Sequence, residues 1–199
     1  MKLGFLITAY NQRREVKYSV DMLRNKWTRC KDSLISIVIS GDPERTVRFD
    51  SDDRTRTIHI KDMVGKRFNE LVSTSIANQM MLGMNQLKDL QREFGEVDYI
   101  VHFHGDILLL NEQGFFEELE RFAASGKFVA CDTVGPQRTD YIEMGGTEIM
   151  PQLFVTRRDF CDATGFLHIM SVEGENEKKS TEHMLIGNLS RSTAAKLPM

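Results

Sequence analysis

Cysteine is scarce in this sequence: 199 residues carry three, at Cys30, Cys131 and Cys161. An odd, scattered set with no C-x-x-C pair builds neither a disulfide framework nor a zinc knuckle, so the expectation is reduced thiols in a cytoplasmic protein. Long apolar runs are missing too. The first, Leu3 to Ile7, is too short for the core of a signal peptide and far too short for a membrane span, which predicts a first strand and no transmembrane segment. Charge of one sign is also missing. Lys plus Arg number 26 against 29 Asp plus Glu, a net charge of −3 with the signs interspersed, so no basic arm or stripe offers itself to a phosphate backbone. Nucleic acid is therefore not an expected partner. Internal repeats and low-complexity segments are absent.

Glycine is lacking where two nucleotide-binding classes need it. The residues after the first strand read Thr8-Ala9-Tyr10-Asn11-Gln12-Arg13-Arg14-Glu15. No G-x-G-x-x-G follows the strand, as a dinucleotide-binding dehydrogenase would require, and no Gly-rich basic phosphate loop stands there, as a nucleotidyltransferase usually shows.

What is present is a hydrophobic content of 41%, enough for one globular domain with a sizeable core at the usual ~100–200 residues per domain. Leu3 to Thr8 reads as a strand closed by the polar turn Tyr10-Asn11-Gln12. From about Glu15 a helix is predicted by Val16, Val20, Leu23 and Trp27 on one stripe. Leu34 to Ile39 is β-branched and makes a second strand, stopped by Ser40-Gly41-Asp42-Pro43. Charged, aperiodic residues from Glu44 to Arg56 predict a surface loop, and Thr57 to Ile60 a brief third strand.

The longest helical pattern runs from Phe68 to about Phe94, with Gly83 weakening its middle by roughly 1 kcal/mol relative to alanine. Its methionines Met80, Met81 and Met84 read either as a pliable binding surface or as ordinary core packing. Tyr99 to Phe103 is a further strand, Gln113 to Ala124 a helix, and Lys127 to Cys131 another buried strand. After an irregular stretch from Asp132 to Pro151, Leu153 to Thr156 predicts a strand and Arg158 to Ala163 a short helix; Glu173 to Lys179 reads as a loop. Apolar strands alternating with amphipathic helices indicate an α/β domain with a mostly parallel central sheet flanked by helices. Ligands of such sheets lie beyond the carboxyl ends of the strands. Three polar clusters fall there, Tyr10-Asn11, Ser40-Gly41-Asp42 and His104-Gly105-Asp106, and they are expected to converge.

The segment VHFHGDILLL, Val101 to Leu110, breaks an apolar run with two histidines, a glycine and an aspartate. Burying an unpaired carboxylate costs several kcal/mol or protonates it, so Asp106 marks a site or a turn. On extended backbone the side chains of His104 and Asp106 leave the same face and can approach one ion, and Gly105 permits a tight turn or a ligand's close approach. A hard divalent cation takes one or two protein ligands and completes its shell with substrate phosphates, which outlines a nucleotide-diphosphate site. The plainer reading is that Asp106 caps a turn and His104 is a satisfied strand-end histidine. His59 and His102 read as structural strand residues, and His168 has no readable partner.

The order of these parts resembles the GT-A glycosyltransferases, especially the large family of inverting nucleotide-sugar transferases (family 2-like). LGFLITAYNQRREVKYSVDML looks like that family's opening strand, Pro-Thr-Tyr-Asn turn and helix. ISIVISGD looks like its second strand with acidic end, and VGKRFNELVSTSIANQMM like its Gly-Lys and Asn-bearing helix. VDYIVHFHGDILL falls where the family runs into Asp-x-Asp, and TEHMLIGNL looks like its C-terminal acidic helix. Thr8-Ala9 replaces Pro-Thr, the acidic pair after the second strand is reduced to a shifted Asp42, and His104 replaces the first aspartate of the metal motif.

The resemblance implies one GT-A-like (Rossmann-like) domain over residues 1–199, with a nucleotide-sugar-binding half at 1–110, an acceptor and catalytic half at 111–190 and a tail at 191–199. It implies that Thr8, Tyr10 and Asn11 line the base pocket, that Asp42 contacts base or ribose, and that Lys66 lies near the nucleotide. Asp106, His104 and His183 would hold a divalent metal, Mn²⁺ or Mg²⁺, and Glu182 would deprotonate the acceptor. Histidine in place of aspartate favours Mn²⁺ or a softer ion, and protonation near the imidazole's unperturbed pKa of about 6.5 would weaken binding in mild acid. Glu182 reads equally as an acidic residue favoured at a helix start after Ser180-Thr181. The implied activity is metal-dependent transfer of a sugar from a nucleotide-diphosphate sugar to an acceptor, with inversion. The rival readings are a non-catalytic GT-A-like protein that binds a nucleotide sugar or glycan, and a nucleotidyltransferase.

Overall fold

The structure is a computed structural model that describes residues 1–41, 49, 52–61, 68–131 and 153–164. The described elements follow in chain order. β1 (Leu3–Tyr10) leads to α1 (Arg13–Asp21), one π-helical stretch (Met22–Lys26), β2 (Leu34–Gly41), β3 (Thr55–Lys61) and α2 (Phe68–Phe94). β4 (Tyr99–His104), α3 (Glu112–Ala124), β5 (Val129–Cys131), β6 (Leu153–Arg157) and α4 (Arg158–Thr164) complete them.

The strands form one six-stranded sheet in the order β3-β2-β1-β4-β6-β5. β3, β2, β1 and β4 run parallel, while β6 pairs antiparallel with both β4 and β5. The expected mostly parallel α/β sheet is therefore present. Alternate residues of the central strands feed two cores. Phe5, Ile7, Ile35, Ile37, Val101 and Phe103 face α1 and α3. Leu6, Leu34, Ile100 and Phe154 face α2 and α4 on the other side, against Met80, Met84, Leu87 and Phe160. Met80 and Met84 are thus core packing, the plainer of their two readings.

Gly83 has a role that helix propensity hides. A Cβ there would stand 2.1 Å from Leu6 Cδ1 and 3.1 Å from Val38 Cγ2. Its absence lets α2 lie directly on β1 and β2, and Ser36 Oγ donates to the Gly83 carbonyl at 2.9 Å. The propensity cost is offset by closer packing.

Two boundaries depart from the sequence reading. The first helix does not run regularly to Trp27: Trp27 N donates to the Met22 carbonyl, five residues back, at 2.8 Å, and Trp27 itself is extended. This wide turn releases the indole to pack beside Phe115 at 5.3 Å between ring centroids. The loop expected up to Arg56 also ends early, because Thr55 and Arg56 already pair with Ile35 and Ser36. Arg24 explains that start. Its nearly buried guanidinium meets Asp52 Oδ2 at 2.7 Å and donates to Thr55 Oγ1 at 2.8 Å and to the Ser33 carbonyl at 2.9 Å. One side chain thus pins the amino ends of β2 and β3, at the edge of the sheet away from the polar clusters.

Candidate functional site

The strand order creates a crevice. From β1 the chain moves through α1 to β2 and then β3 on one side, and returns through α2 to β4 on the other. With α1 on one face and α2 on the opposite face, the carboxyl ends of β1 and β4 form the topological switch point where open α/β sheets bind ligands.

The register places Thr8 beside His104 and Tyr10 beside Ser40 at that edge. Tyr10 is 55% exposed. Asn11 then takes a left-handed conformation, φ 57°, and its amide donates to the Ser40 carbonyl at 3.1 Å. Gly41 answers from the end of β2 with φ 128°, and a Cβ there would lie 2.1 Å from Asn11 Oδ1, so only glycine admits the Asn11 amide this closely. Gln12 Oε1 accepts from Tyr10 N at 3.2 Å, closing the turn before α1.

His104 ends β4, and Ile107 N donates back to its carbonyl at 2.9 Å, so Gly105 and Asp106 form a tight turn. The expectation that His104 and Asp106 share one face of extended backbone is corrected here, since the strand stops before Asp106. His104 is half-buried at the strand end, and the Asp106 carboxylate is exposed at the turn. Gly105 serves packing rather than a ligand's approach. Its amide donates to the Thr8 carbonyl at 2.8 Å, and a Cβ would stand 2.7 Å from Ala9 Cβ and 2.9 Å from Val16 Cγ2. The turn is held down on the end of β1 and on α1.

Beneath this rim lies a buried polar layer. Thr8, expected to line a base pocket, is 2% exposed, and its hydroxyl shares a 3.0 Å hydrogen bond with His102 Nε2. His102 is fully buried, stacked at 4.8 Å on Phe154 and set edge-on to His104 with ring centroids 5.4 Å apart and planes at 90°. Gln79 of α2, also buried, donates through Nε2 to Ser40 Oγ at 2.6 Å and to the Ala9 carbonyl at 3.5 Å. Gln79 was not singled out in the sequence, although a carboxamide beside Met80 on an apolar helix face is the signal that could have found it.

Thr8, Tyr10, Asn11, His104 and Asp106 thus gather at one end of β1 and β4. Asp42, Lys66, Glu182 and His183 lie outside the described residues. Among the described residues no three His, Cys, Asp or Glu side chains converge as a complete cation cage. Asp106 offers an exposed carboxylate and His104, two residues before it, a half-buried imidazole packed on His102; a divalent cation needs only one or two such protein donors when phosphate oxygens and water fill its other positions. In residue type the two are compatible with a divalent cation. The thiols of Cys30 and Cys161 are no part of the edge: both are buried, and burial pushes each up to about 12, the pKa of an inert, protonated sulfur.

No family model matches the sequence, and no curated protein matches it significantly. Solved structures do. The chain aligns with Staphylococcus aureus TarS, residues 1–349, at TM-score 0.55 and 9% identity, covering 94% of this chain and 56% of that one. With the same fragment in complex with UDP-GlcNAc the TM-score is 0.50 at 8% identity, covering 94% and 54%. A cytidylyltransferase from Leptospira borgpetersenii serovar Hardjo-bovis aligns at TM-score 0.50 and 12% identity, covering 97% of this chain and 72% of that one. The chain spans little more than half of the TarS fragment. At such identities the likeness is one of fold alone: a mixed α/β, GT-A-like fold with a six-stranded, mostly parallel sheet. No described helix is long and apolar enough to cross a membrane.

Proposed function

We propose that this chain binds a nucleotide-diphosphate sugar at the β1/β4 crevice and transfers the sugar, with inversion, to an acceptor. The observation that carries the reading is the gathering of Tyr10, Asn11, His104 and Asp106 at the switch point of a GT-A-like sheet. The TarS complex with UDP-GlcNAc supports the ligand class.

In this reading the exposed Tyr10 ring and the Asn11 turn receive the base, with Asp42 beside them and Lys66 near the nucleotide. Asp106 and His104, joined by His183, hold Mn²⁺ or Mg²⁺. When bound, that cation supplies positive charge against the departing diphosphate. Glu182 takes the proton of the acceptor hydroxyl as its oxygen forms the bond to the anomeric carbon and the bond to the diphosphate oxygen breaks. Direct displacement inverts that carbon. Asp106 stands exposed on a turn that the Gly105 amide pins to the end of β1.

A second reading, nucleotidyl transfer, is favoured by the coverage of the Leptospira cytidylyltransferase. The turn Tyr10-Asn11-Gln12 opposes it, because it offers no Gly-rich cradle for a triphosphate.

Thermal-shift titration with nucleoside diphosphates, nucleotide sugars and nucleoside triphosphates, with and without Mn²⁺, separates them. A ligand at a hundred times its Kd adds about 2.7 kcal/mol, a rise of several degrees in Tm for a chain of this size. Metal-dependent stabilisation by a diphosphate sugar, lost in Asp106→Ala, is the expected result. A response confined to a triphosphate would transfer the assignment to nucleotidyl transfer, and Mn²⁺-independent binding of the sugar nucleotide would point to a non-catalytic binder.

A further inference from the structure

We infer that Thr8 and His102 together are a positioning pair that fixes the orientation of the His104 ring at the crevice. The inference rests on the reading of His104 as a site residue, and it gives Thr8 a role other than lining the base pocket.

Three observations carry it. Thr8 and His104 are register neighbours on β1 and β4, yet the Thr8 hydroxyl turns to His102, two residues deeper on the same face of β4. The His102 ring is held on three sides: by Thr8 Oγ1 at 3.0 Å, by the face of Phe154 at 4.8 Å and 33°, and by the sheet that buries it completely. His104 meets that fixed ring edge to face, centroids 5.4 Å apart and planes perpendicular.

A buried imidazole is a poor filler for an apolar strand unless its polar atoms are satisfied. Leu, Ile or Phe would pack there without needing Thr8. Thr8 Oγ1 answers Nε2, a hydrogen bond that sets which way the His102 ring faces and that a phenyl ring could not make. Orientation then passes to His104 by contact. Groups hydrogen-bonded to a metal-ligating histidine commonly change metal affinity about 10–100-fold, and a ring contact that aims His104 is set at the low end of that scale. The cost of a misaimed His104 should fall there.

The test compares wild type with Thr8→Val, Thr8→Ser and His102→Phe by two readouts. The first is Mn²⁺ affinity in the presence of a saturating nucleoside diphosphate. The second, needing no ligand, is the ¹H–¹⁵N correlation spectrum of the histidine rings with His104 assigned by substitution. Thr8→Val is nearly isosteric, so Tm of the free protein checks that each variant is folded. The expected result is a loss of about tenfold or more in Mn²⁺ affinity for Thr8→Val and His102→Phe, retention in Thr8→Ser, and a shifted or broadened His104 ring signal in the same two variants. Wild-type affinity and an unchanged His104 signal in Thr8→Val would overturn the inference. Should the wild type bind no Mn²⁺ with any diphosphate, the metal reading of the site fails, and the ring spectrum alone decides the pair: an unmoved His104 signal overturns it, a moved one sustains it.

Discussion

Gln79 Nε2 donates to Ser40 Oγ at 2.6 Å, tying the middle of α2 to the carboxyl end of β2 directly beneath the crevice. Ser40 in turn gives its carbonyl to Asn11 N, so one carboxamide supports both strand ends that flank the exposed Tyr10. The layer is buried, where a hydroxyl left without its partner is expensive.

Gln79→Leu keeps volume near constant and removes the donor. The expected loss is about 1–3 kcal/mol, read as a lower urea midpoint at unchanged m. Ser40→Ala should cost less after Gln79→Leu than before it, with a coupling of about 0.5 kcal/mol or more. Strict additivity in the double variant would show that the two side chains do not act together.

Gly105→Ala tests why the His-Gly-Asp turn has a glycine. Its conformation does not demand one, since Gly105 is not among the positive-φ glycines, whereas the space does: Ala9 Cβ and Val16 Cγ2 stand 2.7 and 2.9 Å from the added methyl. Both belong to buried backbone-linked packing and have little room to yield. The expected cost is about 1–3 kcal/mol from overpacking, with the amide resonances of Thr8 and Asp106 displaced as the turn lifts. A variant of wild-type stability with an unmoved Asp106 amide would refute this account of the motif.

The elements were legible because their signals are local. Phe68 to Phe94 reads as one helix from its apolar stripe, and β2 from its β-branched run, and both are found. The switch point was legible too, since polar residues after apolar strands can face nothing but the sheet edge. What escaped the sequence depends on distant partners. The wide turn at Met22–Lys26 follows from where Trp27 and Arg24 find their contacts, and period counting sees only the stripe. Gly83 reads as a helix fault until Leu6 is placed against it, and Thr8 reads as pocket lining until His102 is seen to claim its hydroxyl. The antiparallel insertion of β6 between β4 and β5 is a matter of chain order in space, which strand propensity does not encode.

Alkaline pH should destabilise the protein through Cys161. Cys161, on α4, is 1% exposed; its thiol donates weakly to Thr156 Oγ1 at 3.5 Å and is pushed by burial up to about 12. In the unfolded chain the thiol titrates near its reference value of about 8.5. Below that pH both states hold the proton and the contribution is fully present. Above it the unfolded state releases a proton that the folded state keeps, so stability falls by about 1.4 kcal/mol per pH unit for this thiol until pH approaches 12. Between pH 8 and pH 10 that is a loss of about 2 kcal/mol. Cys161→Ala removes this share while leaving Cys30, the tyrosines and the lysines to titrate as before. Urea unfolding of both proteins at the two pH values reads the difference directly: the wild type should lose about 2 kcal/mol more than the variant, and equal losses would mean that Cys161 is far more open to solvent than its buried place on α4 implies.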